Sequence, residues 1–129
     1  MSQLNPHEQK NVVSTPVRIP IIQKLITTYK LWHEFLAGFP KTTRYTLGSK
    51  IDLLFSETIE AIFVASYLFK SEKLPYLQRA TTKLDLLKFF FQLSWEVKSL
   101  DTKKYARISE QLSEIGKMLG GWSKQVSNR

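Results

Sequence analysis

Apolar residues recur at three- and four-residue steps along most of this chain, and strand-like alternation is nearly absent. Four segments carry that helical period. The first runs from about Pro20 to Ala37, with Ile22, Leu25, Ile26, Tyr29, Trp32 and Leu36 on one stripe and Gly38 just past its end. The second opens near Pro40 and runs to about Lys70. It carries two stripes: Leu47, Ile51, Leu54, Ile62, Ala65 and Phe69 on one side, and Phe55, Ile59, Phe63 and Tyr67 on the other. At about 1.5 Å per residue it would span on the order of 45 Å.

The third helix is expected from Leu74 and Pro75 to about Leu100. Leu77, Ala80, Leu84, Leu87 and Phe91 form one seam, and Leu86, Phe90, Leu93, Val97 and Leu100 a second. Asp101 then suits the N-cap of a fourth helix reaching about Gln125, with Tyr105, Ile108, Leu112, Ile115, Leu119 and Trp122 at coiled-coil spacing. Short connections make consecutive helices antiparallel. The expected fold is therefore all-α, an up-down-up-down four-helix bundle over residues 18–125. Residues 1–17 are polar and aperiodic and read as an arm, and 126–129 read as a tail.

Two segments carry more apolar surface than one bundle core absorbs, which predicts self-association. The candidate interface residues are Phe55, Ile59, Phe63 and Tyr67, with Gly116 and Gly120 on a small-residue face of the last helix. A glycine inside a helix costs about 1 kcal/mol relative to alanine, and close approach of another helix would justify it.

Charge then sharpens the picture. Nineteen Lys and Arg against 11 Asp and Glu give a net charge of +8 and favour an anionic partner. Lys41, Arg44 and Lys50 fall in FPKTTRYTLGSKI (39–51), a stretch without an acid, just after Pro40, which suits the first position of a helix. Cations there oppose the helix dipole by about 0.3–1 kcal/mol each. Lys98, Lys103, Lys104 and Arg107 cluster at the third turn. In an antiparallel bundle that turn lies at the same pole as the start of the second helix, with Tyr45 and Tyr105 nearby. Arg79, Lys83 and Lys88 add charge along the third helix. These residues form a candidate nucleic-acid surface.

Catalysis finds little support. His7 and His33 are far apart, and there is no cysteine, so no metal-ligand cluster and no disulfide is expected. Glu57 with Glu60 and Glu110 with Glu114 are spaced as salt-bridge partners, such as Arg107 with Glu110 and Glu114 with Lys117. No cofactor-binding motif is present. No signal peptide and no run of 18 apolar residues is evident, so a cytoplasmic protein without membrane contact is expected.

FPKTTRYTLGSKI, KLPYLQRA (73–80) and ISEQLSEIGKMLGGW (108–122) together resemble the Avd family, the accessory variability proteins of diversity-generating retroelements. The resemblance covers about residues 19 to 125. It implies a homopentameric barrel that binds the retroelement's reverse transcriptase and template RNA, and DNA as a further candidate, to support mutagenic cDNA synthesis without catalysis of its own. Lys41, Arg44 and Lys50 are the matching positions for nucleic-acid contact. The alternative within the same wider group is a ribosomal-RNA intervening-sequence-type bundle of unknown role.

Overall fold

A computed structural model describes residues 18–127. The expected arm over 1–17, His7 included, and the last two residues of the chain lie outside the described residues. Five helices and no strand occur among the described residues: α1 (Arg18–Leu36), α2 (Lys41–Arg44), α3 (Leu47–Tyr67), α4 (Lys70–Glu96) and α5 (Thr102–Ser127). The four long helices make a closed bundle in which α1 packs on α3 and α5, and α4 packs on α3 and α5.

The core follows from the seams. Leu77, Ala80, Leu84, Leu87 and Phe91 of α4 are all buried, as are Ile108, Leu112, Ile115, Leu119 and Trp122 of α5. Aromatic rings meet edge to face at the centre, where their quadrupoles favour that arrangement. Trp32 contacts Phe39 at 5.4 Å and Phe91 at 5.3 Å between centroids, and Phe55 contacts Tyr29 at 5.5 Å and Phe91 at 6.2 Å.

Helix α1 is rotated from the expected stripe. Its buried face is Ile21, Leu25, Thr28, Leu31, Trp32 and Phe35, while Ile26 is exposed. A threonine at the centre of the face hides the period when only apolar residues are followed. Thr28 is fully buried because its hydroxyl is satisfied, bonding to the Lys24 carbonyl at 2.8 Å and the Gln111 side chain at 2.9 Å.

The expected single helix from Pro40 to Lys70 is two. Pro40 is the N-cap of α2 rather than its first residue. The chain leaves helical geometry at Thr46 (φ −113°, ψ −82°), which caps α3. The Thr46 hydroxyl lies 3.4 Å from the Thr43 carbonyl, so a side chain competes with the backbone ladder there. At the far end α3 stops at Tyr67, and extended Leu68 and Phe69 make a two-residue link. Phe69, placed in the core stripe by periodicity, is 80% exposed.

Helix α4 begins at Lys70, so Pro75 lies inside it. The early start has its own support. Glu72 sits in the first turn, where it complements the dipole, and Lys73 donates to the Ala65 carbonyl at 2.7 Å, tying the start of α4 to the end of α3. Leu100, expected on the outer seam of this helix, is buried beyond its end. Helix α5 runs straight through Gly120 and Gly121 to Ser127, two residues past the expected end, and buries Val126.

Candidate nucleic-acid interface

The pole that gathers the basic residues is built by two turns. Helix α4 closes in a Schellman motif: the Ser99 N–H reaches the Ser94 carbonyl at 2.9 Å and the Lys98 N–H the Trp95 carbonyl at 3.0 Å. Lys98 takes the left-handed position, at φ 69°, where glycine is usual. Asp101 caps α5 as expected, with Oδ1 accepting from the Lys104 N–H at 2.8 Å. The hydroxyls of Thr43 in α2 and Ser99 in the α4–α5 turn are hydrogen-bonded to each other. That bond joins the two turns, so Lys41, Arg44, Lys98, Lys103 and Lys104 occupy one end of the bundle, with Arg107 a turn along α5.

The cations at this end are not equivalent. Arg44 is spent on the protein itself: its guanidinium donates to the Phe39 carbonyl at 2.9 and 3.2 Å and to the Ala37 carbonyl at 3.4 Å. These acceptors follow the C-terminus of α1, where a cation is favourable. The Lys104 ammonium stands 5.7 Å over the Phe35 ring in the last turn of α1. Lys50 stands 5.9 Å over Phe90. Lys41, Lys98, Lys103 and Arg107 are exposed.

Of the three cations expected against a helix dipole, only Lys50 lies in the first turn of a long helix. Lys41 and Arg44 sit in a four-residue helix with little dipole of its own, and Arg44 answers the carbonyls of α1. The acids of this end are largely engaged. Asp52 accepts from the Tyr29 hydroxyl at 2.8 Å and the Trp32 indole at 3.1 Å, and Glu96 accepts from Gln92 at 3.0 Å. The Asp52 carboxylate holds the Tyr29 phenol above its ordinary value of 10.0, first through this hydrogen bond and then through burial. Glu34 is a further acid, exposed near the end of α1.

Arg79 and Lys83 do not join this cluster. They lie 17 and 13 residues before Glu96, the last residue of α4, about 26 and 20 Å along the helix. Lys83 pairs with Glu57 at 3.0 Å, and the Arg79 guanidinium stands 4.8 Å over Tyr76. Glu57 and Glu60 line a shallow cleft with these two cations, and the Glu57 carboxylate is occupied by Lys83. Glu114 pairs across helices with Lys24 at 2.7 Å rather than with Lys117 as its main partner, and that bond holds its carboxyl below the ordinary value. No group of three His, Cys, Asp or Glu able to hold a metal occurs among the described residues. No helix among them is long and apolar enough to cross a membrane.

A family model described as bAvd-like matches residues 20–126. The chain belongs to the bAvd-like family. Members are accessory proteins rather than a family defined by catalysis. No curated protein matches the sequence. The match begins and ends with the bundle, so the family is carried by the four long helices and the turns between them.

The expected interface residues divide. Phe55 is fully buried in the core of its own bundle and cannot form an outer seam, and Ile59 is half-buried against that core. Phe63 and Tyr67 are exposed and touch each other, with centroids 4.9 Å apart. Gly116 faces α4, where a Cβ would lie 3.2 Å from the Lys88 ammonium and 3.7 Å from Leu84, so its neighbour is within the chain. Gly120 has open space around it. Gly48 marks a close approach of α1 and α3, since a Cβ there would lie 2.7 Å from a Leu36 methyl. On α4, Leu86 and Phe89 are exposed and Phe90 and Leu93 half-buried, and Val97 just past its end is exposed, which gives an outer apolar face.

Proposed function

We propose that this bAvd-like protein is a non-enzymatic accessory of a diversity-generating retroelement, binding its reverse transcriptase and template RNA to support mutagenic cDNA synthesis. The observation that carries the reading is the joining of the α1–α3 and α4–α5 turns through Thr43 and Ser99. It concentrates Lys41, Lys98, Lys103 and Lys104 at one end of the bundle. A phosphate backbone is met by such a cluster through charge, without sequence readout. The outer apolar faces of α3 and α4 support self-association, as a pentamer by family resemblance. In a ring the basic end recurs in each subunit, so a weak site becomes multivalent.

Replacing Lys41, Lys103 and Arg107 together by glutamine tests the site and leaves Arg44 to hold the α1 carbonyls. Neutralising about five phosphates of a single strand per protomer gives a slope near −3.5 for log K against log salt, and the triple variant should flatten it by about 2. Filter binding at several salt concentrations measures it, and an unchanged slope rejects the site. Copurification with a reverse transcriptase of a diversity-generating retroelement tests the partner, and failure to copurify removes that half of the reading.

A further inference from the structure

The α4–α5 turn borders a cavity of about 640 Å³, lined by Trp95, Glu96, Lys98, Leu100, Asp101 and Thr102. That volume lies within the roughly 300–1,000 Å³ of pockets that take small ligands or single groups of larger ones. Of the three tryptophans, Trp32 and Trp122 are buried, while Trp95 is 36% exposed.

The Trp95 ring is held in place without being covered. Its Nε1–H donates to the Thr102 hydroxyl at 3.0 Å, and Tyr105 stacks on it with centroids 5.0 Å apart and planes within 13°. Trp95 lines the cavity and Tyr105 does not. A ring already ordered loses little freedom when something stacks on it.

The remaining walls narrow the ligand. Leu100 belongs to the core, Asp101 accepts from the Lys104 N–H, and Glu96 accepts from Gln92. Lys98 stands in the wall at φ 69°, a conformation that costs a non-glycine residue about 1–2 kcal/mol. A fixed aromatic plane beside an exposed cation fits a planar ring joined to an anion.

We infer that Trp95 is a stacking platform for an unpaired nucleobase of single-stranded RNA, with Lys98 meeting the adjoining phosphate. This rests on the reading of the chain as an RNA-binding protein and gives that reading a base-contacting residue. Stacking on an aromatic face tolerates any base and needs an unpaired strand.

The test is tryptophan fluorescence of the full chain, titrated with a single-stranded oligouridylate of about twelve nucleotides and with an abasic strand of equal length. Anisotropy of labelled strands follows binding in parallel. Both strands should bind, and the oligouridylate alone should quench. Trp95→Phe should abolish the quenching while both strands still bind. Trp95→Ala should weaken the oligouridylate at least about fivefold and leave the abasic strand unchanged. Binding of both strands without quenching, or quenching that survives in Trp95→Phe, overturns the platform and leaves phosphate binding standing. Binding of neither strand removes the RNA reading itself, and the platform with it. The wild-type and Trp95→Phe titrations decide the matter even if Trp95→Ala does not fold.

Discussion

Single residues tie this bundle together where its polar groups are buried. Asp52 is the clearest case, because one carboxylate oxygen serves both Tyr29 and the fully buried Trp32. Asp52→Ala leaves the indole N–H without a partner and should cost about 1–3 kcal/mol in urea unfolding, whereas Asp52→Asn keeps an acceptor and should cost less. Equal losses in the two variants would show that the acceptor is not what matters. Lys98 presents the opposite balance. Lys98→Gly relieves left-handed strain of about 1–2 kcal/mol and adds chain entropy to the unfolded state, for a net gain of roughly 0.5–1 kcal/mol. The melting temperature should rise while RNA affinity falls. Neither residue stands out in the sequence: nothing marks Asp52, and Lys98 is one cation of a cluster of four. Trp95 does not stand out either, because its exposure is set by the neighbouring helices and not by its spacing.

At the level of elements, periodicity was reliable wherever one helix faced one core. The seams of α4 and α5 were legible because Leu, Phe and Ile fill them without a polar interruption. It failed for α1, where Thr28 occupies the centre of the buried face, and between α2 and α3, where threonine hydroxyls compete for backbone carbonyls. Pro75 misled in another way. Its preference for a helix start placed the boundary there, while Lys73 and Glu72 support an earlier turn. The glycines of α5 also have different reasons. Gly116 faces Lys88 and Leu84, and Gly120 faces nothing in its own chain. Gly120→Ala should therefore stabilise an isolated bundle by about 1 kcal/mol through helix propensity. Loss of stability instead, read by thermal melts, would mean that a second chain packs against that position.

For the whole molecule, the question is what covers the outer faces. Leu86 and Phe89 on α4 with Val97 just past its end, and Phe63 and Tyr67 on α3, leave apolar surface outside the core. An acidic substitution there puts a charge into any contact between copies without disturbing the bundle. Phe89→Glu should lower the mass found by light scattering to that of a smaller species, with helical circular dichroism unchanged. A wild type that is already monomeric at micromolar concentration would remove the proposal of self-association.

The all-helical bundle, the α4 and α5 seams and the antiparallel order were legible before folding, because helical period and short links leave few other ways to bury those residues. The same order implied that the two turns share one pole, which the Thr43–Ser99 bond then joins. The use of each charge and ring was settled by packing between helices. Whether a cation faces solvent, a ring or a carbonyl depends on the neighbouring helix, and a residue's spacing along its own helix carries no record of that neighbour. So Arg44 turned inward to the carbonyls after α1, Lys83 to Glu57, and Phe55 into the core, while Trp95 remained at the surface on a rigid support.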